Sequence, residues 1–248
     1  MANGLALETK ETTKAARGRL AALREALPAV VGACAFRGLC YAAMTALALW
    51  NELRPAPSLP DTVLAHLPYV GWVDRINYVA WLFCYVPVAV AFLFTEPGRW
   101  VRYMVTGGLV SLTRGVCIAL TGLGPPDPAH AGRGIAGMDF WQAFLDLVSP
   151  VGVFAHGTAR AYLTQDLFFS GHTATTFLLV LYLWKRPVLR WLALAGHVAM
   201  VASVLLARLH YSIDVVGAWA VTFAIFAVRE WAPRPQASGP SAGTASRS

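Results

Sequence analysis

The chain has 248 residues, of which 57% are hydrophobic and 13% charged, with a net charge of +7 and a mean hydropathy of +0.53. This composition excludes an ordinary soluble domain. The basic residues fall at the ends of apolar runs rather than along one polar surface, which excludes a nucleic-acid-binding face. Several runs reach the ~20 apolar residues that a bilayer span requires. The sequence therefore predicts an all-α, polytopic membrane protein.

Taken in order, the chain divides into a leader, a membrane domain and a tail. Residues 1–27 are polar and lack the apolar core of a signal peptide, so we expect a cytosolic leader that is either an amphipathic helix on the membrane or disordered. Residues 28–231 are predicted to form six transmembrane helices. Their expected ranges are 29–50, 76–95, 100–123, 170–185, 188–208 and 211–231. Residues 232–248 are rich in Pro, Ser, Gly and Ala and are expected to be a disordered tail.

A further apolar segment, residues 138–154, lies in the long loop before the fourth span. The segment is short and contains Ser149-Pro150, so we predict a re-entrant or interfacial piece rather than a crossing. A crossing here would change the topology of every span that follows.

The distribution of basic residues predicts the orientation. With six spans, thirteen of the 20 Lys and Arg residues lie on the side of the N-terminus, five lie on the other side, and Arg37 and Arg114 lie within spans. The side richer in Lys and Arg is expected to be cytoplasmic. A turn at Lys185-Arg186-Pro187 joins the fourth and fifth spans into a hairpin. The start of the fourth span and the end of the fifth are then expected on the non-cytoplasmic side.

The end of the fifth span carries a histidine and a carboxylate, His210 and Asp214. Residues four apart share one face of a helix. A carboxylate that accepts a hydrogen bond from one imidazole nitrogen leaves the other nitrogen free to attack, and imidazole can carry a phosphoryl group. An isolated pair of this kind also occurs as a structural hydrogen bond at a span end.

The start of the fourth span carries Ser170-Gly171-His172-Thr173. Serine before an apolar helix is a typical N-cap, and glycine lets backbone amides approach a ligand closely. The positive end of the helix favours an anion such as phosphate. His172 in the first turn is suited to protonate a leaving oxygen. Because the hairpin brings His172 and His210 to one face, the two segments together predict a phosphate-handling site.

Arginine side chains are the third candidate group. A charge inside a span costs roughly 2.5–3.5 kcal/mol on insertion scales, so Arg114 is expected to have a partner or a function. A guanidinium suits bidentate contact with phosphate, whereas a snorkelling or carboxylate-paired arginine is the structural alternative. Arg208, two residues before His210, is a further candidate for phosphate contact. No group of His, Cys or carboxylate residues has metal-ligand spacing, so no metal or other cofactor is predicted. His197, in the middle of a span, is expected to be packed in the bundle.

Four motifs in order resemble those of the sphingomyelin synthase family, a branch of the type 2 phosphatidic acid phosphatase superfamily. The catalytic ones are Asp166-x3-Ser170-Gly-His-Thr173 and His210-Tyr-Ser-Ile-Asp214-Val215, and the others are Leu59-Pro-Asp61 and Arg114-x6-Thr121. The resemblance covers roughly residues 53–231. It implies a lipid phosphotransferase with a non-cytoplasmic site that moves phosphocholine or phosphoethanolamine from a glycerophospholipid to ceramide or a similar lipid alcohol, releasing diacylglycerol.

Site roles are assigned from the residue chemistry and the resemblance together. The predicted catalytic residues are His172, His210 and Asp214, and the predicted substrate-binding residues are Arg114, Asp166, Ser170, Gly171 and Arg208. Thr164-Gln165 stands where the family usually has Cys-Gly, which bears on head-group and acceptor specificity. Two alternatives stay open: a lipid phosphatase or phospholipase C-like hydrolase that uses water as the acceptor, and a non-catalytic membrane scaffold or transporter. Oligomerisation is also left open.

Overall fold

The computed structural model describes residues 2–149 and 162–231, and all regular secondary structure in these two segments is helical. In chain order the helices are α1 (Ala2–Glu52), α2 (Thr62–Ala65), α3 (Gly71–Thr95), α4 (Pro97–Thr121), α5 (Phe140–Val148), α6 (Gly171–Leu183), α7 (Pro187–Leu206) and α8 (Ser212–Trp231). The predicted all-α class is confirmed for the described part of the chain.

Five helices of the described segments are long and apolar enough to cross a membrane. They are the Ala21–Glu52 part of α1 together with α3, α4, α7 and α8. These helices indicate an integral membrane protein, as predicted from composition. The predicted number of six spans is not confirmed, because α6 has only 13 residues. A helix of that length is about 20 Å long, shorter than the ~30 Å hydrocarbon core of a bilayer.

Two predicted segments, the leader and the apolar stretch before the fourth span, contain helices in the structure. The predicted leader and first span form one continuous helix, α1, which passes through Pro28 without a break. The leader is rich in Ala, Leu, Lys, Arg and Glu, which are strong helix formers, so the helix extends beyond its apolar part. The predicted re-entrant segment contains the nine-residue helix α5. Residues 150–154 of that segment lie outside the described residues, and a re-entrant path is not confirmed.

Helices α1 and α4 pack closely along most of their apolar length. A Cβ atom added at Gly115 would lie 2.8 Å from the Cα atom of Met44, so only glycine permits this approach of the two backbones. Small residues at helix contacts are a common means of association in membranes. The same packing brings the ends of the two helices together, where Arg54 Nη2 donates to the carbonyl of Ala119 at 2.8 Å.

Helices α6 and α7 form the hairpin predicted from the sequence. Helix α6 ends at Leu183, and Pro187 is the first residue of α7, where a proline has no unsatisfied N–H group. Helix α6 lies in the centre of the bundle and buries Leu178, Leu179 and Leu183 in the largest apolar cluster. The start of α6, the end of α7 and the start of α8 therefore lie at one end of the bundle.

The opposite end of the bundle is held by two partly exposed ion pairs and a hydrogen bond from a buried tyrosine. Glu230 at the end of α8 accepts hydrogen bonds from Arg102 Nε at 3.1 Å and from the Tyr182 hydroxyl at 2.7 Å. Arg186 Nε donates to Glu96 at 2.5 Å across the turns that join α3 to α4 and α6 to α7. These contacts lie at the end of α6 opposite His172. They stabilise the end of the bundle that is farther from His172 and His210.

Candidate active site

The first turn of α8 holds Asp214 beside His210. Asp214 Oδ2 accepts the backbone N–H of Tyr211 at 2.9 Å, which caps the helix and fixes the carboxylate. His210 Nδ1 lies 3.4 Å from the same oxygen atom. Both side chains are buried, and among the described residues neither His210 Nδ1 nor Asp214 Oδ1 has a hydrogen-bond partner. Catalytic hydrogen bonds are often long before substrate binds. We therefore expect the distance from His210 Nδ1 to Asp214 Oδ2 to shorten when substrate is bound.

A backbone hydrogen bond joins the two histidine-bearing segments directly. The N–H of Ser170 donates to the carbonyl oxygen of Asp214 at 3.1 Å, and Ser170 Oγ accepts the N–H of Thr173 at 3.3 Å as the N-cap of α6. Close packing supports the same junction, because a Cβ atom at Gly217 would lie 2.7 Å from Cε2 of Phe168. The start of α6 is thus attached to the first turns of α8.

This junction brings His172 and His210 side by side. Their ring centroids are 6.3 Å apart at an interplanar angle of 65°, a separation of about two hydrogen-bond lengths. The edge of Trp81 lies against His172, with centroids 6.1 Å apart. A group that contacts both imidazoles would occupy the space between them. The catalytic roles of His172, His210 and Asp214 stay predictions, and the geometry required for those roles is present.

Arg114 is engaged by the loop that precedes α6. Its Nε donates to the carbonyl of Phe169 at 2.6 Å, and its Nη2 donates to Asp166 Oδ2 at 2.9 Å and to the Asp166 carbonyl. Its Nη1 faces the sulfur of Met44 at 3.2 Å. A Cβ atom at Gly171 would lie 3.2 Å from Arg114 Nε, so the glycine admits the guanidinium. This is the carboxylate-paired alternative raised from the sequence, and phosphate contact by Arg114, Asp166 or Gly171 stays a prediction.

Arg208 is turned toward the loops that precede α3 and follow α4. Its backbone has a positive φ of 50°, and its Nη1 lies 3.4 Å from Asp127 Oδ2. Its Nη2 donates to the carbonyls of Leu64 and Leu67 at 3.4 and 3.1 Å. These contacts link α2 to the end of α7, and a phosphate contact of Arg208 stays a prediction.

Asp61, in the Leu59-Pro-Asp61 motif for which no role was predicted, connects the loop between α1 and α3 to α8. Its Oδ1 accepts the N–H groups of Val63 and Leu64 at 2.9 and 3.1 Å, which caps α2. Its Oδ2 accepts the N–H of Ser212, the first residue of α8, at 2.6 Å. Next to it, the Tyr211 hydroxyl accepts from the N–H of Leu59 at 2.9 Å. The loop between α1 and α3 is therefore bound to Tyr211 and to Ser212, the two residues that follow His210.

Replacement of Asp61 by asparagine is expected to lower stability in a pH-dependent way. Partial burial would raise the pKa of Asp61, but the hydrogen bonds from Ser212, Leu64 and Val63 outweigh it and hold the pKa below the ordinary 3.8. The carboxylate therefore stabilises the fold above pH 3.8, and this stabilisation is lost as the pH falls through the folded-state pKa. We expect D61N to unfold about 1 kcal/mol more easily than wild type at pH 7, because an amide NH2 group replaces one of the two accepting oxygens, with the difference closing below pH 3.8. Thermal unfolding in detergent at several pH values measures this, and a difference that is independent of pH would contradict it.

His197 is held by two hydrogen bonds within the bundle, as expected for a packed histidine. Its Nδ1 lies 2.9 Å from Thr176 Oγ1, and its Nε2 accepts the indole N–H of Trp219 at 2.9 Å. Thr176 in turn donates to the carbonyl of His172 at 2.8 Å. Since Nε2 accepts, Nδ1 carries the proton, and the chain of bonds links α6, α7 and α8 below the site.

One contact at the site was missed by sequence reasoning. Glu52, the last residue of α1, accepts hydrogen bonds from Thr164 and Gln165, and the neighbouring Asn51 Nδ2 donates to the Gln165 carbonyl at 2.9 Å. The pairs are separated by more than 110 residues, and no spacing rule relates them. The sequence contains one signal for this contact, the acidic residue Glu52 at the end of an apolar run. Its partners Thr164 and Gln165 stand where the resembled family usually has Cys-Gly.

Comparison with known proteins identifies a family model and a related enzyme that are similar to this chain. Residues 165–231 match the family model described as PAP2 superfamily C-terminal, a range that contains both histidine motifs. The chain is also 26% identical over 196 residues to phosphatidylcholine:ceramide cholinephosphotransferase 2 of Caenorhabditis elegans. That match covers 73% of this chain and 58% of the relative, so this chain spans less than two thirds of the relative's length. The matches confirm the resemblance indicated by the motifs and support the prediction of an enzyme.

Proposed function

We propose that this chain, similar to a ceramide cholinephosphotransferase, transfers a phospho-head-group from a glycerophospholipid to ceramide or a similar lipid alcohol and releases diacylglycerol. The observation that carries the proposal is the 6.3 Å separation of the His172 and His210 rings, fixed by the hydrogen bond from Ser170 N–H to the Asp214 carbonyl. Two imidazoles with a carboxylate behind one of them can serve as a nucleophile and an acid on a single phosphorus atom.

In the first step, His210 attacks the phosphorus atom of the donor lipid. Asp214 lies next to Nδ1, so Nε2 is the attacking nitrogen. A P–N bond forms, and the P–O bond to the glycerol oxygen breaks. His172 carries a proton once the anionic phosphodiester is bound beside it, gives this proton to that oxygen, and neutral diacylglycerol leaves. Asp214 stabilises the imidazolium character that develops on His210.

In the second step, the acceptor alcohol completes the transfer. His172, now neutral, removes the hydroxyl proton of the alcohol as its oxygen attacks phosphorus. The new P–O bond forms, the P–N bond to His210 breaks, and both histidines return to their starting states. The first-turn N–H groups of α6, capped by Ser170, supply a positive dipole for the phosphoryl oxygens. Arg114 and Arg208 are the predicted cationic contacts.

The proposed reaction requires the site to lie near one membrane surface. We include α6 as a sixth crossing segment, despite its 13 residues, because it lies inside the bundle and its polar first turn need not reach the lipid boundary. Lys and Arg residues are in excess on the side opposite the site. This excess supports a cytoplasmic start of α1, a cytoplasmic end of α8 and a non-cytoplasmic site. Phospholipid and ceramide would then both enter from the non-cytoplasmic leaflet.

A donor lipid labelled in its head group tests the proposal. Purified protein in vesicles is incubated with labelled phosphatidylcholine or phosphatidylethanolamine, with and without ceramide, and the products are separated by mass spectrometry. The proposal predicts labelled ceramide phospholipid and an equal amount of diacylglycerol. A free phospho-head-group that ceramide does not divert would establish the hydrolase instead. No turnover of any donor by folded protein would favour a scaffold or transporter.

A further inference from the structure

We propose that Glu52 is a positioning residue for His172, acting through the loop of residues 162–170 that leads into α6. The inference rests on the proposed function and adds to it a residue outside the motifs. In the described structure Glu52 contacts Thr164 and Gln165 and touches neither histidine, so it acts on the reacting groups only through the backbone.

The carboxylate of Glu52 makes three hydrogen bonds to this loop. Its Oε1 accepts the N–H groups of Thr164 at 2.6 Å and of Gln165 at 2.5 Å, and its Oε2 accepts the Thr164 hydroxyl at 2.8 Å. The loop has no regular secondary structure here, so these N–H groups have no helical partner. Both residues are partly buried, and N–H groups shielded from water require an acceptor, which Glu52 supplies. Asn51, fully buried, holds the Gln165 carbonyl from the other side.

The loop continues from this contact to His172 without a free stretch. Arg114 binds the carboxylate and carbonyl of Asp166 and the carbonyl of Phe169, and Ser170 N–H donates to Asp214. All residues from Thr164 to Ser170 except Leu167 and Phe168 are therefore hydrogen-bonded to α1, α4 or α8. His172 follows two residues later, in the first turn of α6. A shift at Thr164-Gln165 would be passed on to the orientation of His172.

Three substitutions at Glu52 distinguish the effect of its hydrogen bonds to the loop from the effect of its negative charge. Glu52→Ala removes all three acceptor contacts. Glu52→Asp keeps the charge but is one methylene shorter and cannot reach the same groups. Glu52→Gln loses the charge yet can keep the contacts, because its Oε1 accepts both N–H groups and its amide donates to the Thr164 hydroxyl. A positioning role thus predicts that E52Q resembles wild type and that E52A and E52D do not.

The measured quantity is the rate of diacylglycerol release from labelled phospholipid, per amount of folded protein. We expect kcat of E52A and E52D to fall about 10- to 100-fold with KM changed much less, because a small displacement of a catalytic group has an effect of that order. Glu96→Ala, which removes a carboxylate at the opposite end of the bundle, is the matched control and should leave kcat unchanged. Unchanged kcat in E52A, or a loss in E52Q equal to that in E52A, would overturn the inference.

Amide hydrogen exchange gives a second readout that does not depend on activity. In E52A, peptides covering residues 164–172 are expected to exchange faster, while those of α3 keep the wild-type rate. Faster exchange with wild-type kcat would show a purely structural contact and overturn the positioning role. If the wild type releases no diacylglycerol, the proposed function fails by itself. Unchanged exchange in E52A would then overturn the loop contact independently.

Discussion

Replacement of His210 by alanine is expected to abolish diacylglycerol release while leaving the bundle intact. The side chain is buried beside Asp214 and faces His172, and the proposed mechanism gives it the covalent bond to phosphorus. Loss of a nucleophile that works together with an acid and an orienting carboxylate lowers turnover by at least about 10³-fold. The rate is measured with labelled phospholipid in vesicles, with the amount of folded protein determined in the same sample.

His66→Ala is the matched control for this substitution. His66 lies in the loop between α1 and α3, exposed, with its Nδ1 against the carbonyl of Thr62. Its replacement removes an imidazole from the same end of the bundle and should leave the rate unchanged. Substantial turnover by H210A, at an amount of folded protein equal to that of wild type, would remove His210 from the mechanism.

The second large effect is expected at Arg114. The residue is 6% exposed, and its guanidinium holds the Asp166 carboxylate together with two carbonyls of the same loop. Arg114→Met leaves Asp166 without its cation and frees the start of α6. Because Asp166 is partly exposed to solvent, we expect the free energy of unfolding to fall by about 2–3 kcal/mol, less than at a fully buried ion pair. Arg114→Lys is expected to recover little of it, because an ammonium group lacks the planar fork that reaches all three oxygens.

A double-mutant cycle isolates the ion pair from the carbonyl contacts. Asp166→Asn in the R114M background removes the unpaired charge, so R114M/D166N should be destabilised by less than the sum of the two single variants. Unfolding in detergent with increasing denaturant measures all four proteins. Additive effects would mean that the pair contributes nothing beyond the carbonyl contacts. An R114M protein as stable as wild type would contradict the structural role altogether.

The local features of the site could be predicted from the sequence because their causes are local. Pro187 starts α7 and Ser170 caps α6, so the hairpin and the shared end of His172 and His210 follow from helix rules. The apolar runs likewise predicted the long helices to within a few residues at most ends. Helix α1 continues through residue 27 from the predicted leader into the first span, because hydropathy marks where a helix enters apolar surroundings and not where the helix begins.

Contacts between distant segments could not be predicted in the same way. The partner of Arg114 is 52 residues away and that of Glu52 more than 110, and a single sequence gives no measure of such pairings. The side chain of Arg208 follows a backbone with positive φ, a conformation that non-glycine residues adopt rarely and that the sequence does not indicate here. The two arginines predicted to bind phosphate are thus engaged by protein groups in this structure.

The central claim is that His210 carries the phospho-head-group between the two lipids, and a trapping measurement tests it most directly. The wild-type protein is mixed with head-group-labelled phospholipid in the absence of ceramide, quenched in alkali because P–N bonds are labile to acid, and digested for peptide mass spectrometry. The account predicts the label on the peptide that contains His210, and its disappearance when ceramide is added before the quench. A label on His172 instead, or no labelled histidine in a protein that turns over its donor, would contradict it.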